Sequence, residues 1–358
     1  MPIRVLLVED SPVVLAVLTK ILQQSPQIEI VGAAHTGLEA LKLIPQVRPE
    51  VVCTDLHMPH MDGLALTVEI MNRFPLPILV VSVSVQDEDT QQVFRLLEAG
   101  AVDVFPKPVA GLNAESAALN AALIEKIQIL AGVKVFRKKR AAFSAAPTQV
   151  LSPARSQWAR AWKRPKVVTV GTSTGGPQAL YQVLSNLPKA FPPVICVQHI
   201  GSGFLQGLMT WLQRDCALKI TIAQSGQMPA PGHVYFAPDQ QHLLLDDRGF
   251  FAYGEGPLVD GHRPSITVTF ESVAGYYGPQ AIGVLLTGMG KDGAAGLQAI
   301  ARAGGLTLAQ DEATSVVFGM PKVAIDLGAA YEVLPIEAIA PTLKQFVETL
   351  QFSTVGQS

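Results

Sequence analysis

Over residues 1–130 the apolar positions gather into short continuous runs: IRVLLVED from Ile3, IEIVGAA from Ile28, PEVVCTD from Pro49, PILVVSV from Pro77 and AVDVF from Ala101. Continuous runs, unlike alternating ones, mark strands covered on both faces. Between them lie stretches with helical spacing, such as VVLAVLTKILQQ and TGLEALKLIPQV. Strand and helix in regular succession predict a parallel α/β sheet, here a flavodoxin-like (βα)5 unit over residues 1–130. The pattern breaks over residues 131–165, where Lys, Arg, Ala, Ser and Pro dominate and no apolar period lasts, as a basic flexible linker would have it. From residue 166 to 352 the alternation resumes with KVVTVG, PPVICVQ, LKITIA, QAIGVLLTG, LTLAQ and YEVLP, predicting a doubly wound, mostly parallel α/β domain. Gly232 to Tyr253 departs from that rhythm. Its hairpin-like runs around a turn at Asp247, Arg248 and Gly249 predict a small antiparallel excursion beside the sheet.

Composition narrows the function classes. A chain of 358 residues that is 49% hydrophobic has material for two buried sheets. Its 27 Lys plus Arg nearly balance 29 Asp plus Glu, so the basic excess of a nucleic-acid binder is missing. No apolar run approaches the ~18 residues of a membrane span. The opening MPIRVLLVEDSP turns acidic straight after its strand and has no basic n-region. Both features predict a cytoplasmic protein without membrane insertion. Cys53, Cys196 and Cys216 have no metal spacing and fit small core residues of a reduced protein. A monomer is the default expectation.

Candidate chemistry lies where a parallel sheet collects its loops, at the carboxyl ends of strands. Glu9 and Asp10 end the first run, Asp55 the third, Ser82 the fourth, and Lys107 follows the fifth. Clustered carboxylates repel unless a divalent cation joins them, and Mg²⁺ suits a few carboxylate oxygens plus waters. Asp55 is then placed to attack phosphorus, with Lys107 and the Ser82 hydroxyl directed at phosphoryl oxygens. Together with DLHMPHMDG after Thr54, this set resembles the receiver domain of response regulators. One departure is Val104, three residues before Lys107, where receivers often carry an aromatic.

In the second half, Gly171-Thr172-Ser173-Thr174-Gly175 fits G-x-S-x-G between a strand and a helix. By itself it suits either an exposed nucleophile with a helix N-terminus for an oxyanion, or a glycine-rich phosphate cradle. His199 ends the next strand, beside Ser173 if the two strands are neighbours. Asp292 follows AIGVLLTG at a strand-to-helix junction. It serves there either as an ordinary helix N-cap or as the acid that orients His199, with Met289 N–H at an oxyanion hole. The chain order serine, histidine, acid differs from that of α/β-hydrolases.

GTSTGGP, VQHI, DGHRPS, LTGMGKDGAAG and VVFGMPKVAI together resemble the chemotaxis protein-glutamate methylesterases, the CheB family. That resemblance implies a phosphorylation-activated serine esterase that demethylates glutamate methyl esters on methyl-accepting chemoreceptors, with glutamine deamidation as a side activity. It implies a triad of Ser173, His199 and Asp292, with Thr174 and Met289 near the oxyanion and His262 and Arg263 lining the substrate cleft. It implies no cofactor for the esterase, Mg²⁺ at the receiver, a CheA-like histidine kinase as phosphoryl donor, and a receiver that covers the cleft until Asp55 is phosphorylated.

Overall fold

The computed structural model describes residues 1–82, 87–108, 114–133, 135 and 163–352. The stretch predicted to be a linker, 131–165, falls mostly outside these described residues. The chain forms two compact units, each built on its own sheet.

The first unit alternates β1 (Ile3–Val8), α1 (Pro12–Leu22), β2 (Ile28–Ala34), α2 (Gly37–Val47), β3 (Val51–Thr54), α3 (Gly63–Arg73), β4 (Ile78–Ser82), α4 (Asp87–Ala99), β5 (Asp103–Pro106) and α5 (Ala114–Leu130). Its sheet runs β2-β1-β3-β4-β5, parallel throughout. β3 and β4 are buried at every position, which is why their sequences show no polar alternation. Three helices start on side-chain caps: Ser11, Thr36 and Asp62 each accept a backbone N–H of the first turn of α1, α2 and α3.

The second unit contains β6 (Val167–Thr172), α6 (Gly176–Leu184), β7 (Val194–Gln198), α7 (Leu205–Gln213), β8 (Lys219–Ile222), β9 (His233–Phe236), β10 (His242–Leu245), β11 (Phe251–Gly254), α8 (Ile266–Tyr277), β12 (Ala281–Leu285), α9 (Ala294–Arg302), β13 (Leu306–Gln310), α10 (Met320–Asp326), β14 (Glu332–Leu334) and α11 (Ile336–Phe352). Seven strands form one parallel sheet in the order β14-β13-β12-β6-β7-β9-β8. β10 and β11 pair antiparallel, apart from it.

The predicted excursion from Gly232 to Tyr253 is thus half right. Its turn forms, with Asp246 accepting the N–H groups of Arg248 and Phe250 at 2.9 Å each and Gly249 at φ 85°. Its first run does not belong to the hairpin. β9 lies parallel between β7 and β8, because Val234, Tyr235 and Phe236 are buried on both faces, which only the sheet interior provides. No described helix is long and apolar enough to cross a membrane.

Candidate active site

β6 stands at the point where the second sheet reverses direction. The chain leaves it for β7 on one side and returns as β12 on the other. In open α/β sheets the crevice beyond the carboxyl ends at such a point is the usual ligand position. Ser173 follows the last residue of β6 and His199 follows the last residue of β7. The register Thr172 to Gln198 sets them side by side, with His199 N–H donating to the Thr172 carbonyl at 3.0 Å. The Ser173 N–H donates across to the Thr287 carbonyl, at 3.0 Å, so the turn is held from both flanks.

The turn itself needs its glycines. Gly175 has φ 76°, in the left-handed region, and a Cβ there would also strike Val316. At Gly288 a Cβ would sit 2.5 Å from Met320 Sδ and 2.7 Å from Ser173 Cβ, so backbone replaces side chain against the serine. Two buried amides complete the support. Gln198 Nε2 donates to the carbonyls of Ser173 (2.9 Å) and His199 (2.8 Å), and Gln310 Oε1 accepts the Thr287 N–H at 2.8 Å.

Asp292 lies 3.0 Å from His199, Oδ2 to Nε2, an ion-pair separation whose N–H direction falls short of a hydrogen bond. The acid is buried and receives four donors: Ser265 Oγ–H (2.8 Å) and the backbone N–H groups of Ile266 (2.7 Å), Thr267 (2.9 Å) and Gly293 (2.9 Å). Helix capping is therefore part of its surroundings, but not in the way its sequence position suggests. α9 starts from Gly293, whereas the carboxylate of Asp292 sits on the first turn of α8, a different element. Burial alone would raise its pKa. His199 and the N–H groups of Thr267 and Ile266 outweigh burial and hold the carboxyl far below the ordinary range. Asp292 is thus a fixed negative charge beside an imidazole.

His262 stacks on His199 with ring centroids 3.7 Å apart and planes 13° from parallel. Arg263 donates from Nη1 to the Gly256 carbonyl at 3.2 Å, while its buried Nε has no hydrogen-bond partner among the described residues. Thr174 is buried directly after Ser173, and its carbonyl accepts the Thr287 hydroxyl at 2.9 Å. Met289 is half-buried, and its backbone N–H makes no hydrogen bond among the described residues. A serine, a histidine beside it and an anchored acid can perform acyl transfer; a phosphate cradle has no need of the last two. Two contacts had no signal in the sequence. Ser265 closes the DGHRPS motif, but nothing in that motif announces its bond to Asp292, and His242 has neither spacing nor motif to mark its bond to Ser265.

In the first unit, Glu9, Asp10 and Asp55 each offer an oxygen within 4.8 Å of the others. Lys107 Nζ reaches Asp55 Oδ2 at 2.7 Å and Glu9 Oε2 at 2.9 Å, and Ser82 accepts the Lys107 backbone N–H at 3.0 Å. Burial, then the charge of Asp55, raises the Glu9 pKa even though Lys107 opposes. Burial would lower the Lys107 pKa, but its bonds to Asp55 and Glu9 prevail and raise it. Three hard carboxylate oxygens within 4.8 Å of one another fit a small divalent cation. Val104 is buried, as is Phe105 beside it.

The chain matches the CheB methylesterase family over residues 168–343 and the response regulator receiver domain family over residues 5–117. A protein-glutamate methylesterase/protein-glutamine glutaminase of Nitrosospira multiformis is 41% identical over 348 residues, 96% of this chain and 97% of that protein. Another, from Syntrophus aciditrophicus, is 42% identical over 346 residues, 95% of this chain and 97% of its own. Among solved structures, the catalytic domain of Thermotoga maritima CheB methylesterase is 39% identical and covers 52% of this chain and 98% of its own, with a TM-score of 0.49.

Proposed function

Because the chain belongs to the CheB methylesterase family and is a protein-glutamate methylesterase/protein-glutamine glutaminase with a receiver domain, we propose that Ser173, His199 and Asp292 carry its chemistry. The observation that carries this reading is the 3.0 Å pair of Asp292 and His199, formed next to the residue that follows β6.

In this reading Ser173 Oγ attacks the ester carbonyl of a methylated glutamate while His199 takes its proton. The tetrahedral oxyanion is met by backbone N–H groups of Met289 and Thr174. The intermediate collapses as the His199 proton passes to the departing methoxide, and methanol leaves an acyl-enzyme. Water, deprotonated by His199, attacks that ester and frees glutamate and Ser173. A glutamine passes through the same intermediate with ammonia as leaving group. Asp292 keeps the imidazolium favourable at both proton transfers. His262 and Arg263 line the cleft that admits the substrate side chain.

The domain division of this reading is a receiver over 1–130, a tether over 131–165 and a catalytic domain over 166–352. At the receiver, Glu9, Asp10 and Asp55 would hold Mg²⁺, which when bound supplies positive charge against phosphoryl oxygens. Asp55 is the phosphorylated residue, with Lys107 and Ser82 directed at the phosphoryl group. The donor is a CheA-like histidine kinase and the substrates are cytoplasmic regions of chemoreceptors, which places the work in the cytoplasm. Phosphorylation raises the esterase rate by relieving the receiver's hold on the catalytic domain.

The test is methanol release from methylated chemoreceptor fragments by the full chain, with and without a small phosphoryl donor and Mg²⁺. Release that Ser173→Ala abolishes and Asp55→Asn renders insensitive to the donor is the expected result. Undiminished release from Ser173→Ala would overturn the assignment.

A further inference from the structure

His242 opens β10 and is buried, at 3% exposure, yet it plays no part in the mechanism above. Its ring nitrogens have two different partners. The Ser265 backbone N–H lies 3.2 Å from Nδ1, and the Pro257 carbonyl oxygen lies 3.0 Å from Nε2. A backbone N–H can only donate and a carbonyl can only accept. Nδ1 must therefore be bare and Nε2 must carry the hydrogen. Only one neutral tautomer satisfies both bonds, and an imidazolium would set a second N–H against that of Ser265.

Those partners bracket the segment that carries the site. Pro257 and Ser265 stand at the two ends of the loop whose middle holds His262, stacked on His199 at 3.7 Å. Ser265 is also the N-cap of α8, and its hydroxyl donates to Asp292 at 2.8 Å. β10 is in turn fastened to α8, where Thr269 Oγ donates to the Leu243 carbonyl (2.8 Å) and Leu245 N–H donates to Ser272 Oγ (3.2 Å). The ring of His242 thus closes the loop onto a rigid helix. Both contacts to His199, the Asp292 carboxylate bonded to Ser265 and the stacked ring of His262, attach to the segment that this ring closes.

We propose that His242 is a positioning residue for the esterase reaction. Held as its Nε2–H tautomer, it pins both ends of the 257–265 loop and so sets the orientation of the Asp292–His199 pair. The inference rests on the triad reading given above.

Three substitutions and one spectroscopic measurement test it. His242→Phe keeps a flat ring of similar volume without either hydrogen bond. His242→Gln offers an acceptor and a donor about as far apart as the ring nitrogens. His242→Ala removes both volume and bonds. The expected result is a fall in kcat of about ten-fold or more for Phe and Ala, since an error near 1 Å in a reacting group costs up to ~100-fold. KM should stay within about two-fold, and Gln should recover most of kcat. Wild-type kcat in His242→Phe would overturn the proposal by reducing the ring to packing. Equal losses in Phe and Gln would overturn it too, because the bonds would then not matter. In the wild-type full chain, long-range ¹H–¹⁵N correlation should show His242 Nδ1 as the unprotonated nitrogen at neutral pH. A protonated Nδ1 would sink the idea without reference to catalysis, whereas failure of the triad reading itself would appear in Ser173→Ala.

Discussion

Asp292 gathers four donors and an imidazole at the carboxyl end of the second sheet, and its protonation links the proposed chemistry to stability. Burial would raise its pKa, but His199 and the N–H groups of Thr267 and Ile266 hold it below that of the unfolded chain, ordinarily ~3.9. A depressed carboxyl stabilises the fold fully above its unfolded value, and the contribution disappears as pH falls through the lower folded value. Wild type should therefore lose urea resistance below about pH 4 more steeply than Asp292→Asn, measured by fluorescence midpoints at successive pH values. At neutral pH the same variant should lose about 10³–10⁴-fold in kcat, because an amide cannot stabilise the imidazolium. Glu9 of the receiver behaves in the opposite sense. Glu9 is raised by burial and by Asp55, so charge is stored there for a cation to relieve. Mg²⁺ should raise the first unfolding transition of the full chain, and Asp10→Asn should cancel the gain in calorimetry.

At the scale of elements, the turn after β6 and the loop after β12 share one piece of space. The Gly288 N–H donates to Val317, and its carbonyl accepts from Gly319 and Met320, which locks its backbone against Ser173. Gly288→Ala has no free volume to enter, with Met320 Sδ at 2.5 Å and Ser173 Cβ at 2.7 Å from the added carbon. Overpacking of this kind costs ~1–3 kcal/mol. The urea midpoint should fall accordingly, and kcat should fall further than stability explains, since the serine itself is displaced. The fate of β9 illustrates a limit at this scale. Its run of buried residues reads the same whether it pairs within a hairpin or enters a parallel sheet, and pairing partners are a long-range property.

For the whole molecule, each sheet gathers its candidate residues at the carboxyl ends of its strands, in the proposed reading one for phosphoryl capture and one for acyl transfer. The first collects its acids after β1 and β3, and the second the proposed triad after β6, β7 and β12. The proposed control requires the two units to influence each other's activity. The fragment from Lys166 onward should thus hydrolyse methylated receptor faster than the unphosphorylated full chain and ignore phosphoryl donor. A fragment no faster than the full chain would remove inhibition by the receiver from this account.

Strand-helix succession, the acids at strand ends and G-x-S-x-G are local patterns, so the α/β class and the candidates Asp55, Lys107, Ser173 and His199 were legible in the chain alone. Apolar runs reveal burial because each is a few residues long and needs no partner to be recognised. Asp292 was visible as a residue but ambiguous as to role. Only tertiary structure decided that its carboxylate caps α8 and pairs with His199. The same holds for Ser265, whose hydroxyl donates to Asp292, and for His242, whose ring accepts the Ser265 backbone N–H, contacts that no spacing encodes. Hydrogen bonds between elements distant in sequence depend on where packing leaves each backbone group, and packing is settled by the whole core at once.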